Sequence, residues 1–191
     1  TVASGMTSQG QGQLTTYAQV CAEILGVQLE NVTVSLGDSG LLPFGRGAFA
    51  SRGAVIGANA VARAAEKLRD RVLGLAGTLL QRPAADLNVE AGRIMLQDGS
   101  ETDLTLAGIA QASMPGGPLY AGATALEDEF IYDSNGTLTF ALSVHAVKVA
   151  VDTHSGDYQV VDYYILHDAG RMLNPMIVDG QVVGGAVDGM G

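Results

Sequence analysis

Ser8-Gln9-Gly10-Gln11-Gly12-Gln13-Leu14-Thr15-Thr16 sets three glutamines and two glycines in five consecutive positions, then runs into a segment of helical spacing. Glycine has no Cβ, so a ligand can approach the main chain closely. Each glutamine amide offers an acceptor oxygen and two N–H donors. A helix that begins just after the loop aims its first unpaired N–H groups at whatever lies there. The stretch reads as a polar cradle for a ligand with phosphates and amide-like ring edges. The plain alternative is a turn. A second glycine-and-glutamine cluster near the far end, Gly180-Gln181-Val182-Val183-Gly184-Gly185, favours the cradle.

Around this loop the chain alternates strands and helices. Thr1 to Met6 leads in as a strand. Tyr17, Val20, Cys21, Ile24 and Leu25 fall at helical spacing, and Gly26 follows as a stop. Val32, Val34 and Leu36 alternate as a half-buried strand. A second small-residue loop, Pro43 to Gly53, opens a long helix from about Ala54 to Gln81. Its apolar stripe is Val61, Ala65, Leu68, Val72, Leu75 and Leu79, with Arg63, Glu66, Lys67 and Asp70 on a solvated face. Leu87 to Gln97 predicts a hairpin turning at Glu90-Ala91-Gly92. Leu104 to Ala112 predicts a short helix capped by Thr102 or Asp103. Glu127-Asp128-Glu129 reads as a solvated acidic run. Thr137 to Asp152 and Tyr158 to Leu166 predict the clearest β-hairpin. From about Met176 to Gly191 a helix carries Gly180, Gly184, Gly185 and Gly189. Each glycine weakens it by roughly 1 kcal/mol relative to alanine, which makes sense where something approaches that face closely.

These elements predict an α+β fold, with mixed or antiparallel sheets packed with helices and no regular βαβ repeat. The expected organisation is an N-terminal cofactor-binding subdomain over 1–112 and a hairpin-plus-glycine-helix subdomain over 125–191. The chain opens within a strand and stops within a helix, so a piece of a larger polypeptide is expected.

Composition narrows the function. The 191 residues carry a net charge of −10 and no basic stripe, which sets nucleic acid aside. Hydrophobic residues at 47% suffice for a sizeable core. A single cysteine, Cys21, excludes an intrachain disulfide and CxxC-type metal sites, and its place in an apolar periodic segment reads as a buried small hydrophobe. His145, His154 and His167 have no common zinc spacing. No apolar run approaches a membrane span. A cytoplasmic location fits best.

Three ordered elements carry a family resemblance. They are Gln9-Gly10-Gln11-Gly12, Phe49-Ala50-Ser51-Arg52-Gly53, and Asp168-Ala169-Gly170-Arg171-Met172-Leu173-Asn174-Pro175 running on to Gly180-Gln181 and Gly184-Gly185. With the run Gln9 to Gln19, the triplet Gly37 to Ser39 and the Ser51-Arg52 pair before an alanine-rich helix, the chain resembles the molybdenum-binding large subunit of the xanthine dehydrogenase and aldehyde oxidase family. Its carbon monoxide dehydrogenase-type members look most similar. The resemblance covers essentially the whole chain and implies a fragment of that subunit. It implies a molybdopterin, possibly the cytosine dinucleotide form, with molybdenum in the parent enzyme. FAD and [2Fe-2S] clusters are implied on partner subunits or domains, together with the remainder of the large subunit and a small-molecule substrate.

By resemblance, Gln9, Gly10, Gln11, Gly12 and Thr16 hold the pterin and its phosphates. Phe49, Ala50, Ser51 and Arg52 lie beside the metal and pterin, with Ala50 near the metal. Gln181 reaches the pterin with its amide, and Asp168 and Asn174 shape the site. The family's catalytic glutamate follows the Gly-Gln-x-x-Gly-Gly helix in a Gly-Glu pair, and this sequence has no such pair. No catalytic residue is therefore named, and the isolated chain is expected to be inactive and to bind cofactor weakly or not at all. Gln9 and Gln13 stand at positions that vary in chemistry among the family's loops, and Gly53 and Ala54 stand where related sequences often carry hydroxyl residues. A non-catalytic scaffold derived from the family is the rival reading. An unrelated phosphate-binding loop is disfavoured, because Gln13 and Leu14 stand where a P-loop lysine belongs.

Overall fold

The computed structural model describes residues 1–42, 44–120, 126–136 and 139–191. Pro43, the expected subdomain start at Ala125 and the expected strand start at Thr137 lie outside the described residues. The chain divides into two compact units, Thr1–Gly136 and Thr137–Gly191.

The first unit begins as a β–α–β crossover. Strand β1 (Val2–Ser4) pairs in parallel with β2 (Val34–Leu36), Val2 opposite Val34. Between them runs α1 (Gln13–Leu25). Gly26 closes α1 with left-handed backbone, φ 59°, and a side chain there would run into the carbonyl of Val89. The glycine thus serves both the cap and the close approach. Tyr17, Ala18, Cys21 and Ala22 form the buried face of α1, and Cys21 is buried as its apolar surroundings require.

A π-helical turn, Gly53–Ala58, leads into α2 (Asn59–Leu80). The buried line of α2 is Val61, Ala65, Val72, Ala76 and Gly77. It drifts from the expected stripe, so Leu68 and Leu75 are half-buried and Leu79 is exposed. Helix α2 serves two apolar clusters. Val61 and Ala65 pack with Met6, Tyr17, Cys21 and Ala58. Val72 and Ala76 pack with Leu87, Val89, Ile94 and Ile109.

The second cluster is completed by an antiparallel meander of β3 (Leu87–Glu90), β4 (Arg93–Leu96) and β5 (Glu101–Thr105), followed by α3 (Leu106–Ala112). Ala91 and Gly92, both with positive φ, make the tight turn between β3 and β4. Strand β5 corrects the sequence reading, which began a helix at Leu104. The Thr102 hydroxyl donates to the Ile94 carbonyl at 2.6 Å and keeps this segment in the sheet. The cap of α3 is accordingly Thr105, whose Oγ1 accepts from the Gly108 N–H at 3.0 Å. The acidic run is exposed at Glu127 and Glu129, as expected, and is corrected at its middle residue. Asp128 is largely buried, with Lys67 Nζ at 3.4 Å and an Arg71 guanidinium nitrogen at 3.7 Å, while Arg71 donates to the Glu127 carbonyl at 3.0 Å. Leu119 and Leu126 pack on the second cluster.

The second unit is a long antiparallel hairpin and a helix. Strand β6 (Leu142–Val151) pairs with β7 (Tyr158–Asp168), with an irregularity between Lys148 and Val149. The first strand starts later than its alternation predicts. Asp152 holds the turn by accepting from the His154 N–H at 2.8 Å, and such backbone bonds lower its carboxyl below the usual range. Helix α4 (Pro175–Met190) starts at Asn174, whose Oδ1 accepts from the Ile177 N–H at 3.1 Å. Proline at the first helical position suits that start. No described helix is long and apolar enough to cross a membrane.

Candidate functional site

The first unit brings the two small-residue loops together. Gly5 and Gly45 touch main chain to main chain: a Cβ on Gly5 would lie 2.6 Å from the Phe44 carbonyl oxygen, and one on Gly45 would lie 2.6 Å from that of Gly5. Alongside, the Gly47 N–H donates to the Gly5 carbonyl at 3.2 Å, and the Ala48 N–H donates to Thr7 Oγ1 at 3.2 Å. Residues 5–12 and 44–53 are therefore two sides of one feature.

On one side, Gly10 and Gly12 take positive φ, 100° and 80°. Gly12 is the N-cap of α1 and brings no side chain to it. The first N–H groups of α1 have no intrahelical acceptor. Gln9 and Gly10 are exposed; Gln11 is half-buried and folds back, its Oε1 accepting from the Gln9 N–H at 2.5 Å. Thr16 turns its hydroxyl inward, donating toward the carbonyls of Gly12 at 3.2 Å and Gln13 at 3.4 Å.

On the other side, Ala50 and Ser51 both lie in the left-handed region, φ 52° and 54°. For residues with a Cβ this costs roughly 1–2 kcal/mol each. The Arg52 N–H closes the turn onto the Phe49 carbonyl at 3.3 Å, and the Arg52 guanidinium carbon stands 4.8 Å from the centre of the Phe49 ring. That placement over an exposed ring holds the cation at the rim. Arg52 Nε is buried with no hydrogen-bond partner among the described residues.

The junction between the sides is built by residues the sequence reading did not assign to the site. Tyr17 is fully buried, and its hydroxyl donates to the Gly53 carbonyl at 2.7 Å. Burial pushes this phenol up to about 12. A Cβ on Gly57 would collide with the same hydroxyl, so the π turn fits only with glycine there. Gln13 is 3% exposed and its Nε2 lies 3.0 Å from where a Gly53 Cβ would stand. Two departures from the family's pattern thus meet. Both polar atoms of the Gln13 amide are buried without a partner among the described residues.

A sequence signal for the loop pair lies in charge. The chain has 20 acidic residues, yet none falls in 1–22 or 39–65, whereas Arg46 and Arg52 do. Both loops occupy those windows, so the charged side chains of the loops themselves are cationic although the whole chain is acidic.

Of the sequence-predicted residues, Gln9, Gly10, Gln11, Gly12, Thr16, Phe49, Ala50, Ser51 and Arg52 gather in this first-unit feature. Gln181 is exposed on α4 in the second unit. Gly180 and Gly184 share a face of α4, and Gly185 begins another about 100° round, so the four glycines do not make a single face. Asp168 and Asn174 each bind main chain, Asp168 Oδ1 accepting from the Gly170 N–H at 2.8 Å. Their side chains hold turns. No group of three or more His, Cys, Asp or Glu side chains that could hold a metal ion occurs among the described residues.

The donor set fits a phosphorylated, amide-edged cofactor: uncapped helix N–H groups, glutamine amides, a rim arginine and buried polar atoms awaiting partners. The chain is similar to the large subunit of nicotine 6-hydroxylase from Paenarthrobacter nicotinovorans, 34% identical over all of this chain and 24% of that protein. It is similar in structure to reconstituted CO dehydrogenase from Oligotropha carboxidovorans, TM-score 0.82 and 30% identity, over 94% of this chain and 22% of that one. Quinoline 2-oxidoreductase from Pseudomonas putida 86 gives a TM-score of 0.79 and 36% identity, over 96% and 23%. The chain spans about a quarter of the length of the curated relatives it matches. The sequence pattern of the molybdopterin cofactor-binding domain matches residues 1–191 from end to end, and the chain belongs to that family.

Proposed function

We propose that this chain forms one side of the cofactor cradle in the large subunit of a molybdenum hydroxylase, an enzyme that oxidises a substrate carbon with oxygen derived from water. The observation that carries the reading is the main-chain clamp at Gly5 and Gly45, which sets the uncapped N-terminus of α1 beside the arginine-bearing loop Phe49–Arg52. Gln9, Gly10, Gln11 and Gly12 present amide and main-chain donors to the pterin and its phosphates. Phe49, Ala50 and Ser51 form the opposite wall, and Arg52 offers charge to a phosphate. Thr16 steadies the loop through its bonds to the Gly12 and Gln13 carbonyls. Gln181, exposed on α4, offers its amide to the pterin. When bound, the cofactor supplies the two-electron redox chemistry, and these residues hold and orient it.

The cytosine dinucleotide form of the cofactor, FAD and [2Fe-2S] on partner subunits or domains, and a cytoplasmic location follow from the same reading. The catalytic base lies in the remainder of the large subunit, and the isolated chain is inactive.

The test is metal and pterin analysis of the full-length subunit from a host that makes the cofactor, wild type beside Gln11→Ala. Molybdenum and pterin near stoichiometry in the wild type, several-fold lower in the variant, is the expected result. A well-folded wild type without molybdenum would instead mark a non-catalytic scaffold.

A further inference from the structure

We infer that Gln13 is a ligand-binding residue of the cradle, whose amide pairs with a ring edge of the ligand that carries an N–H beside a carbonyl. The inference rests on the cofactor-binding reading and assigns a residue outside the loop contacts proposed above. Gln13 follows the N-cap Gly12 directly, and its amide reaches Gly53, the residue after Arg52. It therefore stands where both loops end. Its side chain is 3% exposed, and Nε2 and Oε1 are both without a partner among the described residues.

A buried amide left unpaired is costly, and buried polar groups are ordinarily paired. Here a donor and an acceptor are orphaned together. A phosphate supplies acceptors alone and would leave Oε1 unmatched. A lactam or aminopyrimidinone edge supplies both, in the spacing of a paired amide. Arg52 Nε, a donor only, complements the anionic part of the same ligand. Glycine at position 53 is what permits the amide to lie there, since a Cβ would crowd Nε2 at 3.0 Å.

The test uses the full-length subunit with Gln13→Met, which keeps length and removes both polar atoms, and Gln13→Glu, which keeps shape and removes the donor. Two readouts are needed: the melting temperature of cofactor-free protein, and the rate of pterin release from loaded protein, followed by fluorescence of the oxidised pterin. Cofactor-free Gln13→Met is expected to melt at or above the wild-type temperature, because an orphaned amide is removed. Loaded Gln13→Met is expected to release pterin about tenfold faster, the loss of one paired contact. Gln13→Glu is expected to release it faster too, and decides the matter if Gln13→Met does not fold. A lower melting temperature of cofactor-free Gln13→Met would mean that the amide already has a partner, and would overturn the inference. Release at the wild-type rate from both variants, with Gln11→Ala depleted of pterin, would overturn it while leaving the cradle standing. A wild type without pterin would overturn both.

Discussion

Tyr17 is held at its tip by the Gly53 carbonyl and walled in by Gly57, so one phenol ties the π turn to α1. Its ionisation reports on that contact. The folded phenol titrates near 12, above its ordinary value of 10.0, so between these values the folded state binds the proton more tightly than the unfolded chain. The stability contributed by the neutral phenol is complete below pH 10 and is lost as pH rises toward 12. Chemical unfolding of wild type and Tyr17→Phe at pH 9 and pH 11.5 is expected to show a wild-type loss larger by on the order of 2 kcal/mol. Equal losses in the two proteins would mean that Tyr17 does not carry the effect. The sequence placed Tyr17 correctly on an apolar helical face. The glycine carbonyl that receives its proton is 36 residues away, and no local pattern announces such a partner.

Among the elements, α2 is the one that both clusters and the segment around Asp128 share. Lys67 and Arg71, one turn apart, reach the same carboxylate and the carbonyls beside it. Asp128→Asn is expected to lower stability by about 1 kcal/mol at low salt, and the difference is expected to shrink in 1 M salt, where the partly exposed cations are screened. A salt-independent difference would count against the ion pairs as its cause. Helices α1 and α2 and the β3–β4 hairpin were legible from periodicity, because apolar spacing reports directly on a buried face. The β6–β7 hairpin was legible from alternation about a turn, and α4 from the stretch after Asn174-Pro175. Strand β5 was not. Its five residues include only one large apolar side chain, Leu104, and it is kept extended by its neighbour β4 and by the Thr102 hydroxyl. The burial of Asp128 was illegible for a similar reason, since its partners lie 57 and 61 residues earlier.

At the scale of the molecule, the first unit is organised as two apolar clusters strung on one helix. Val61 belongs to the first and Val72 to the second, and 11 residues of helix separate them by about 16 Å. Val61→Ala and Val72→Ala are each expected to cost about 2 kcal/mol. The double variant is expected to lose their sum to within about 0.5 kcal/mol, measured by denaturant unfolding. A strongly non-additive result would mean that the clusters behave as a single core. The family was legible because several uncommon short motifs occur in order, and the α+β class followed from the same elements. The closeness of the two loops was not legible from either loop. Each is rich in small residues, and small residues say that something approaches without saying what.

The contact between Gly5 and Gly45 has a consequence for how the cradle can vary. The two loops are fastened at Gly5 and Gly45 by main chain, at positions without side chains, with the Thr7 hydroxyl beside them, so the rim side chains are excused from that task. Residues on the rim, Gln9, Gln11, Phe49 and Ala50 among them, can be exchanged to suit another ligand or another reaction while the loops stay in register. A single methyl group at either glycine would part them. The fold thereby separates the part that must not change from the part that is free to, and confines the first to two hydrogen atoms.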